Sequence, residues 1–319
     1  MVASRRDPPT EEEVWSWFDS LSNWGRWGDD DEAGTLNYIT PAVRVAAVAE
    51  VIEGVTVSCA WPVLMNVHRE NDRATPLRLM EITGEGLTPE RLARNGRIAT
   101  AIEWVGLQFH GHNITHVDAL SHGSLDARMF NGFPAHRVTA TRGATRLAVT
   151  AASDALVTRG VLLDMTGVRD KEWLDSGEGV FPADLEEAEE RQGVRVREGD
   201  FVLLHTGHSV RVAREGIVPV GEGWPGWHAA CLPWLHERKV AAIGADLAND
   251  VLPSGYDHIT HPIHAVGLVA MGLWLLDNVN TAVLAEACST RGRWSFLLSC
   301  AVLPLDGATG SPVNPIALF

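Results

Sequence analysis

Helical and strand patterns alternate along this chain, which predicts an α/β fold, and three observations carry that reading. Residues 41–53 (PAVRVAAVAEVIE) show apolar residues at helical spacing behind Thr40 and Pro41, residue types suited to N-cap and N1. Residues 201–205 and 240–245 are short apolar runs entered from polar turns, the pattern of strands buried on both faces. Residues 185–191 read as a short helix entered through Pro182 and Asp184.

In chain order, residues 1–40 come first: polar, with Trp15, Trp17, Trp24 and Trp27. Such a segment is expected as an arm, packed on the body or a neighbouring subunit or lining a pocket. Residues 55–64 and 145–150 read as strands. No composition break, Ser/Gly-rich linker or internal repeat divides the 319 residues. The expected organisation is therefore an N-terminal arm over 1–40 and one domain over 41–319.

The formal net charge of −15 disfavours nucleic acid or an anionic membrane surface as partner and leaves a small molecule as the expected one. The apolar run 265–276 is too short to span a bilayer. Cys59, Cys231, Cys288 and Cys300 form no C-x-x-C pair, and Arg5 and Arg6 precede no apolar stretch, so a reducing, cytoplasmic setting is expected.

Chemistry concentrates in residues 109–122, FHGHNITHVDALSH, which hold four of the thirteen histidines together with Asp118. On a helix Asp118 would point away from His116; on a strand His110, His112, His116 and Asp118 share one face. Phe109, Ile114, Thr115 and Val117 favour the strand, with His122 swung back over the face by a turn. One histidine on a strand is ordinarily a satisfied core or surface residue. Four with an aspartate, next to Ala119 and Leu120, require partners, because burying them unpaired is costly. Neutral imidazoles with carboxylate suit Zn²⁺ or Mn²⁺.

This segment resembles the signature of the cyclase family of metal-dependent hydrolases, which includes kynurenine formamidase-like and isatin hydrolase-like proteins. Of the pattern H-x-G-T-H-x-D-x-P-x-H the chain keeps His112, Thr115, His116, Asp118 and His122, with Ile114 and Leu120 at the glycine and proline positions. The family's larger branch is closer, with T-H-x-D-A-L-x-H and a following M-Y-N-G, here Met129, Phe130, Asn131 and Gly132. The first pattern gives His112 to the metal and leaves His110 to the substrate; the larger branch places its histidine before a glycine, at His110. The choice between them stays open. Residues 24–41, 158–165, 196–208 and 225–246 extend the resemblance over most of the chain.

The resemblance implies a single-domain swivelling β/β/α-type fold with a mixed central sheet, and His264 and Asp277 completing the metal site from the second cluster, residues 257–264 (DHITHPIH). Asp277 stands where the family has glutamate, one methylene shorter, and a terminal cap is its alternative reading. His258 and His261 read as loop residues, with His261 the substitute for His264. Further implications are one or two divalent ions, a homodimer or homotetramer, and His122 as proton shuttle. The expected reaction is hydrolysis of an amide, lactam or ester bond in a small, often aromatic molecule. Ring closure in secondary metabolism is the alternative reaction, and a non-catalytic binding protein is the alternative class. Two other motifs are set aside: Gly221, Gly223 and Gly226 form G-x-G-x-x-G with bulky Trp224 inside it, and Ser209 lacks the second glycine of a nucleophile elbow.

Overall fold

The computed structural model describes residues 7–69, 71–94 and 98–319. Arg5 and Arg6, read above for export, lie outside them. Nine strands form the main sheet among the described residues: β1 (Thr56–Ser58), β2 (His116–Asp118), β3 (Val157–Asp164), β4 (Phe201–His205), β5 (Ala242–Ala245), β6 (Trp274–Asp277), β7 (Ser295–Ser299), β8 (Gly310–Pro312) and β9 (Ile316–Leu318). Their order is β1-β9-β7-β3-β4-β5-β6-β2-β8. The centre β3-β4-β5-β6 is parallel, and both flanks pair antiparallel, so the sheet is mixed.

β4, β5 and β6 are buried throughout. Their apolar side chains leave water on both faces, as the absence of polar alternation in 201–205 and 240–245 required. Helices Pro41–Val48, Pro182–Gln192 and Thr281–Arg291 lie against β3. The first is capped by Thr40, whose hydroxyl accepts from Val43 N at 3.2 Å, with Pro41 opening the helix. It stops at Val48, short of the expected residue 53, because the next amides tighten into i−3 bonds and Glu53 N and Gly54 N turn to Phe319 O. In the helix Pro182–Gln192, the Asp184 carboxylate accepts from Phe181 N at 2.9 Å.

Three strand expectations are corrected. Of 55–64 only Thr56–Ser58 pairs, against Ile316–Leu318. Residues 145–150 form no strand; Val149–Ala152 is a 3-10 turn, and Thr145 N and Val149 N bond to Arg137 O and Ala308 O in loops. The strand of the histidine segment is confined to His116–Asp118, and residues 109–115 are irregular. The glycine run at 221–226 begins in a 3-10 turn rather than after a strand.

Residues 7–40 contribute to the main core through Val14, Trp17, Leu21, Leu36 and Ile39. Helix Glu11–Ser20 is capped by Thr10 and buries Val14 and Trp17, with Leu21 beyond, at i, i+3 and i+7 spacing. Asn23 and Trp24 donate side-chain N–H groups to Met271 O and Val269 O, at 2.8 and 2.7 Å. Those carbonyls belong to a π-helix, Ile263–Met271, that occupies most of the apolar run expected to be too short for a membrane. No helix among the described residues is long and apolar enough to cross one.

Candidate metal centre

β2 lies between β6 and β8, and its registers build the floor of the site. His116 pairs opposite Asp277, and Asp118 opposite Leu275 and Gly310. Residues two apart on a strand, and residues directly opposite across an antiparallel pair, share a face. His116, Asp118 and Asp277 therefore converge, at 2%, 1% and 4% exposure. His116 Nε2 stands 3.4 Å from Asp118 Oδ1 and 3.9 Å from Asp277 Oδ2.

Each inward nitrogen is set by what its ring holds on the other side. His116 Nδ1 is 2.8 Å from Ile114 O, an atom that only accepts, so the proton sits on Nδ1 and Nε2 faces the carboxylates. His264 repeats the device on the π-helix: Nδ1 donates to Asp250 Oδ2 at 2.5 Å, and Nε2 faces Asp118 Oδ2 at 3.5 Å and Asp277 Oδ2 at 3.8 Å. Asp250 is fully buried and also accepts from the backbone N–H of Ile263, fixing the helix entry and the ring together. Asn249 donates to Asp277 Oδ1 at 2.6 Å, leaving Oδ2 toward the site.

His110 and His122 arrive from irregular chain. His110 Nδ1 lies 2.9 Å from Asp118 Oδ1, and its Nε2 is 3.0 Å from Thr309 Oγ1. His122, in the 3-10 turn Leu120–His122, stacks on the His110 ring at 4.2 Å and brings Nε2 to 3.9 Å from Asp118 Oδ2. His112 does not join them; its ring meets Trp224 edge-on at 4.4 Å, on another part of the wall. His261 is turned to Thr260 and His258 to Glu11. Asn249, Asp250 and Thr309 were not singled out from the sequence.

The electrostatics ask for a cation. Burial disfavours the charged imidazole of His116, but Asp118 and Asp277 outweigh it and raise the group to about 9. The same contest, against Asp118, Asp250 and Asp277, leaves His264 well above its ordinary value. Burial and the neighbouring Asp118 push the Asp277 carboxyl up to about 6. Asp118, despite burial, is held well below the usual range by His122, His110, His116 and His264. His122 and His112 are both depressed to about 4, chiefly by burial.

The donor set fits a divalent ion. Asp118 Oδ1 and His110 Nδ1 are buried and lack any hydrogen bond, although they stand 2.9 Å apart. Buried polar atoms left without a hydrogen bond are what a bound cation would satisfy. Two groups offer ligand atoms within 4.8 Å of one another, His116 with Asp118 and Asp277, and His110 with Asp118 and His122. Asp118 belongs to both. Imidazole and carboxylate donors of this kind suit Zn²⁺ or Mn²⁺. Above them opens a cavity of about 420 Å³, walled by Trp15, Phe18, Leu125 and Leu268.

Fold and site together define a mixed-sheet α/β protein with a His/Asp centre suited to a divalent cation. The chain belongs to the Cyclase family, whose model matches residues 39–249. It is 32% identical to a structure described as a novel cyclase, with a TM-score of 0.82 over 94% of this chain and 100% of that one. The isatin hydrolase A structure from Labrenzia aggregata, bound to benzyl benzoate, shares the fold at 18% identity and a TM-score of 0.56, covering 86% of this chain and 96% of its own. Isatin hydrolase A from Ralstonia solanacearum does so at 19% and 0.57, covering 87% and 97%. No curated protein sequence matches the chain. His264 and Asp277 fall beyond the matched segment, so the folded geometry is what joins them to His116 and Asp118.

Proposed function

We propose that this protein is a metal-dependent hydrolase cleaving an amide, lactam or ester bond of a small molecule. The observation that carries the reading is the pair of rings, His116 and His264, each locked by its outer nitrogen so that Nε2 meets the buried carboxylates Asp118 and Asp277. In this reading His116, Asp118 and Asp277 would hold the ion, with His110 and His264 beside Asp118 as further donors. His112, against Trp224, belongs to the pocket wall.

A divalent cation held there supplies Lewis acidity, polarising a carbonyl and acidifying water near neutral pH. His122 is the proton carrier. Burial keeps its ring neutral at pH 7, and the ring, exposed over part of its surface, lies between the carboxylate floor and the cavity. It takes a proton from the attacking water and returns it to the leaving nitrogen or oxygen. Trp15 and Phe18 supply apolar wall and exclude water from the scissile group. Names among the structural relatives, isatin hydrolases that share the fold, support hydrolysis over other chemistry for this scaffold.

The test couples metal analysis of the purified protein to turnover of formamides, lactams and aryl esters in oxygen-labelled water. One labelled oxygen in the carboxylate formed at each turnover and a bound divalent ion are expected. Ring-closed product without label would replace the hydrolase by a cyclase. A metal-free protein that binds these compounds without turnover, even after loading with Zn²⁺ or Mn²⁺, would make it a binding protein.

A further inference from the structure

The cavity lining is unlike the rest of the molecule in charge. The chain carries 41 acidic and 26 basic residues, yet the only carboxylates lining the cavity among the described residues are Asp118 and Asp277, both on the floor. The exposed lining is cationic or neutral: Arg73, His258 and His261. Arg73 stands on a short loop pinned to the histidine segment. Arg69 donates to Asn113 O at 2.7 Å, and Asp72 accepts from Asn113 Nδ2 at 2.7 Å. The loop thereby sets Arg73 beside Gly111, where an added Cβ would lie 3.8 Å from Arg73 Cγ. Arg73 itself makes no hydrogen bond or ion pair among the described residues, although its backbone neighbours do. Trp15 and Phe18, with ring centroids 5.4 Å apart, supply an apolar side of the same cavity.

We propose that Arg73 forms a carboxylate subsite at the cavity mouth, and that the substrate is a small acid with its hydrolysable carbonyl at the other end. The apolar middle of such a molecule lies along Trp15 and Phe18. A guanidinium with no partner among the described residues is available to a carboxylate through two parallel N–H bonds. It also answers a long-range difficulty: a chain of net charge −15 repels an anion, so a cation at a mouth that no carboxylate lines among the described residues is what admits one. The inference rests on the hydrolase reading for its scissile bond, while the subsite itself is readable by binding alone.

The experiment compares 3-formamidobenzoate with the uncharged 3-formamidobenzamide on the metal-loaded protein. Hydrolysis breaks the formyl C–N bond; water gives its oxygen to formate and a proton to the amine. The acid is expected to exceed the amide in kcat/KM by about tenfold. Arg73→Gln brings that ratio to about one, and Arg73→Lys restores part of it. Equal rates in the unmodified protein, or a preference that survives Arg73→Gln, overturn the subsite. Should neither compound be hydrolysed, the hydrolase reading fails for this bond and calorimetry with phenylacetate and phenylacetamide decides the subsite separately. Tighter phenylacetate binding that is lost in Arg73→Gln supports it; binding indifferent to Arg73→Gln overturns it.

Discussion

His116, Asp118 and Asp277 project from adjacent strands whose register is set by backbone hydrogen bonds, whereas His110 and His122 come from irregular chain on either side of β2. The strand-borne trio is sealed, at 4% exposure or less. The loop-borne pair faces the cavity and holds itself by ring stacking. A buried cluster of charges needs fixed partners, because an unpaired charge without water is expensive. A proton carrier needs the reverse: access to water and to a leaving group. On the proposed function the sheet would hold the ion and His122 would do the proton work, so that the two losses are separable.

The sharpest way to break the comparison is to remove a member of each side. His116→Ala takes out the strand-borne ring of the two that face both floor carboxylates, and should abolish stoichiometric metal and lower kcat/KM by at least about 10³-fold. Metal analysis with turnover reads it; retained activity without metal would dismantle the strand side of the argument. His122→Ala should keep the metal and lower kcat by about 10²–10⁴-fold. If His122→Ala loses the metal as well, the ring is a ligand and the two sides are one.

The part of the site legible in the sequence is the part made by strand periodicity. His116 and Asp118 are two apart, and that spacing alone put them on one face. The same rule overreached at residues 109–115, where Gly111 and Asn113 interrupt a strand pattern and the chain must instead pass from an exposed hairpin (Leu77–Ile82 with Ile102–Gly106) into the sheet. His110 and His112 were thereby expected on one face, while in the fold they are separated, one beside Asp118 and one against Trp224. Asp277 and His264 were reached only through family resemblance, since nothing local ties them to β2. Asp250 and Asn249 were invisible because their roles depend on which loop meets the π-helix and β6, a tertiary fact without periodicity. In the fold, buried parallel strands were legible from their unbroken apolar runs. The short β1 was overextended, and 145–150 was misread because its amides bond to loops rather than to a strand.

Asp250→Asn probes the link between the sheet side and the π-helix. Asparagine keeps one carbonyl oxygen to accept from Ile263 N but loses the charge that holds His264 Nδ1–H. An outer partner of this kind is worth about 10–100-fold in metal affinity. A metal titration showing that drop, with unchanged cooperativity of unfolding, would show that His264 must be oriented to serve the ion. An unaltered affinity would move His264 from the metal to the substrate side.

The smallest expected effect tests whether the loop side depends on the sheet at all. Gly310 on β8 lies opposite Asp118, and a Cβ there would stand 2.5 Å from Val117 O and 2.7 Å from His110 Cε1. Neither approach is tolerable, and Val117 O is backbone, so Gly310→Ala must part β8 from β2 or displace His110. Overpacking of this sort costs about 1–3 kcal/mol. Denaturant unfolding reads the stability, and metal titration shows which element gives way. A loss of stability with weakened metal binding means that His110 is held to the ion by the close approach of β8. A loss of stability with normal metal binding means that the strands part while the His110 loop adapts, and that the sheet-borne residues suffice for the ion.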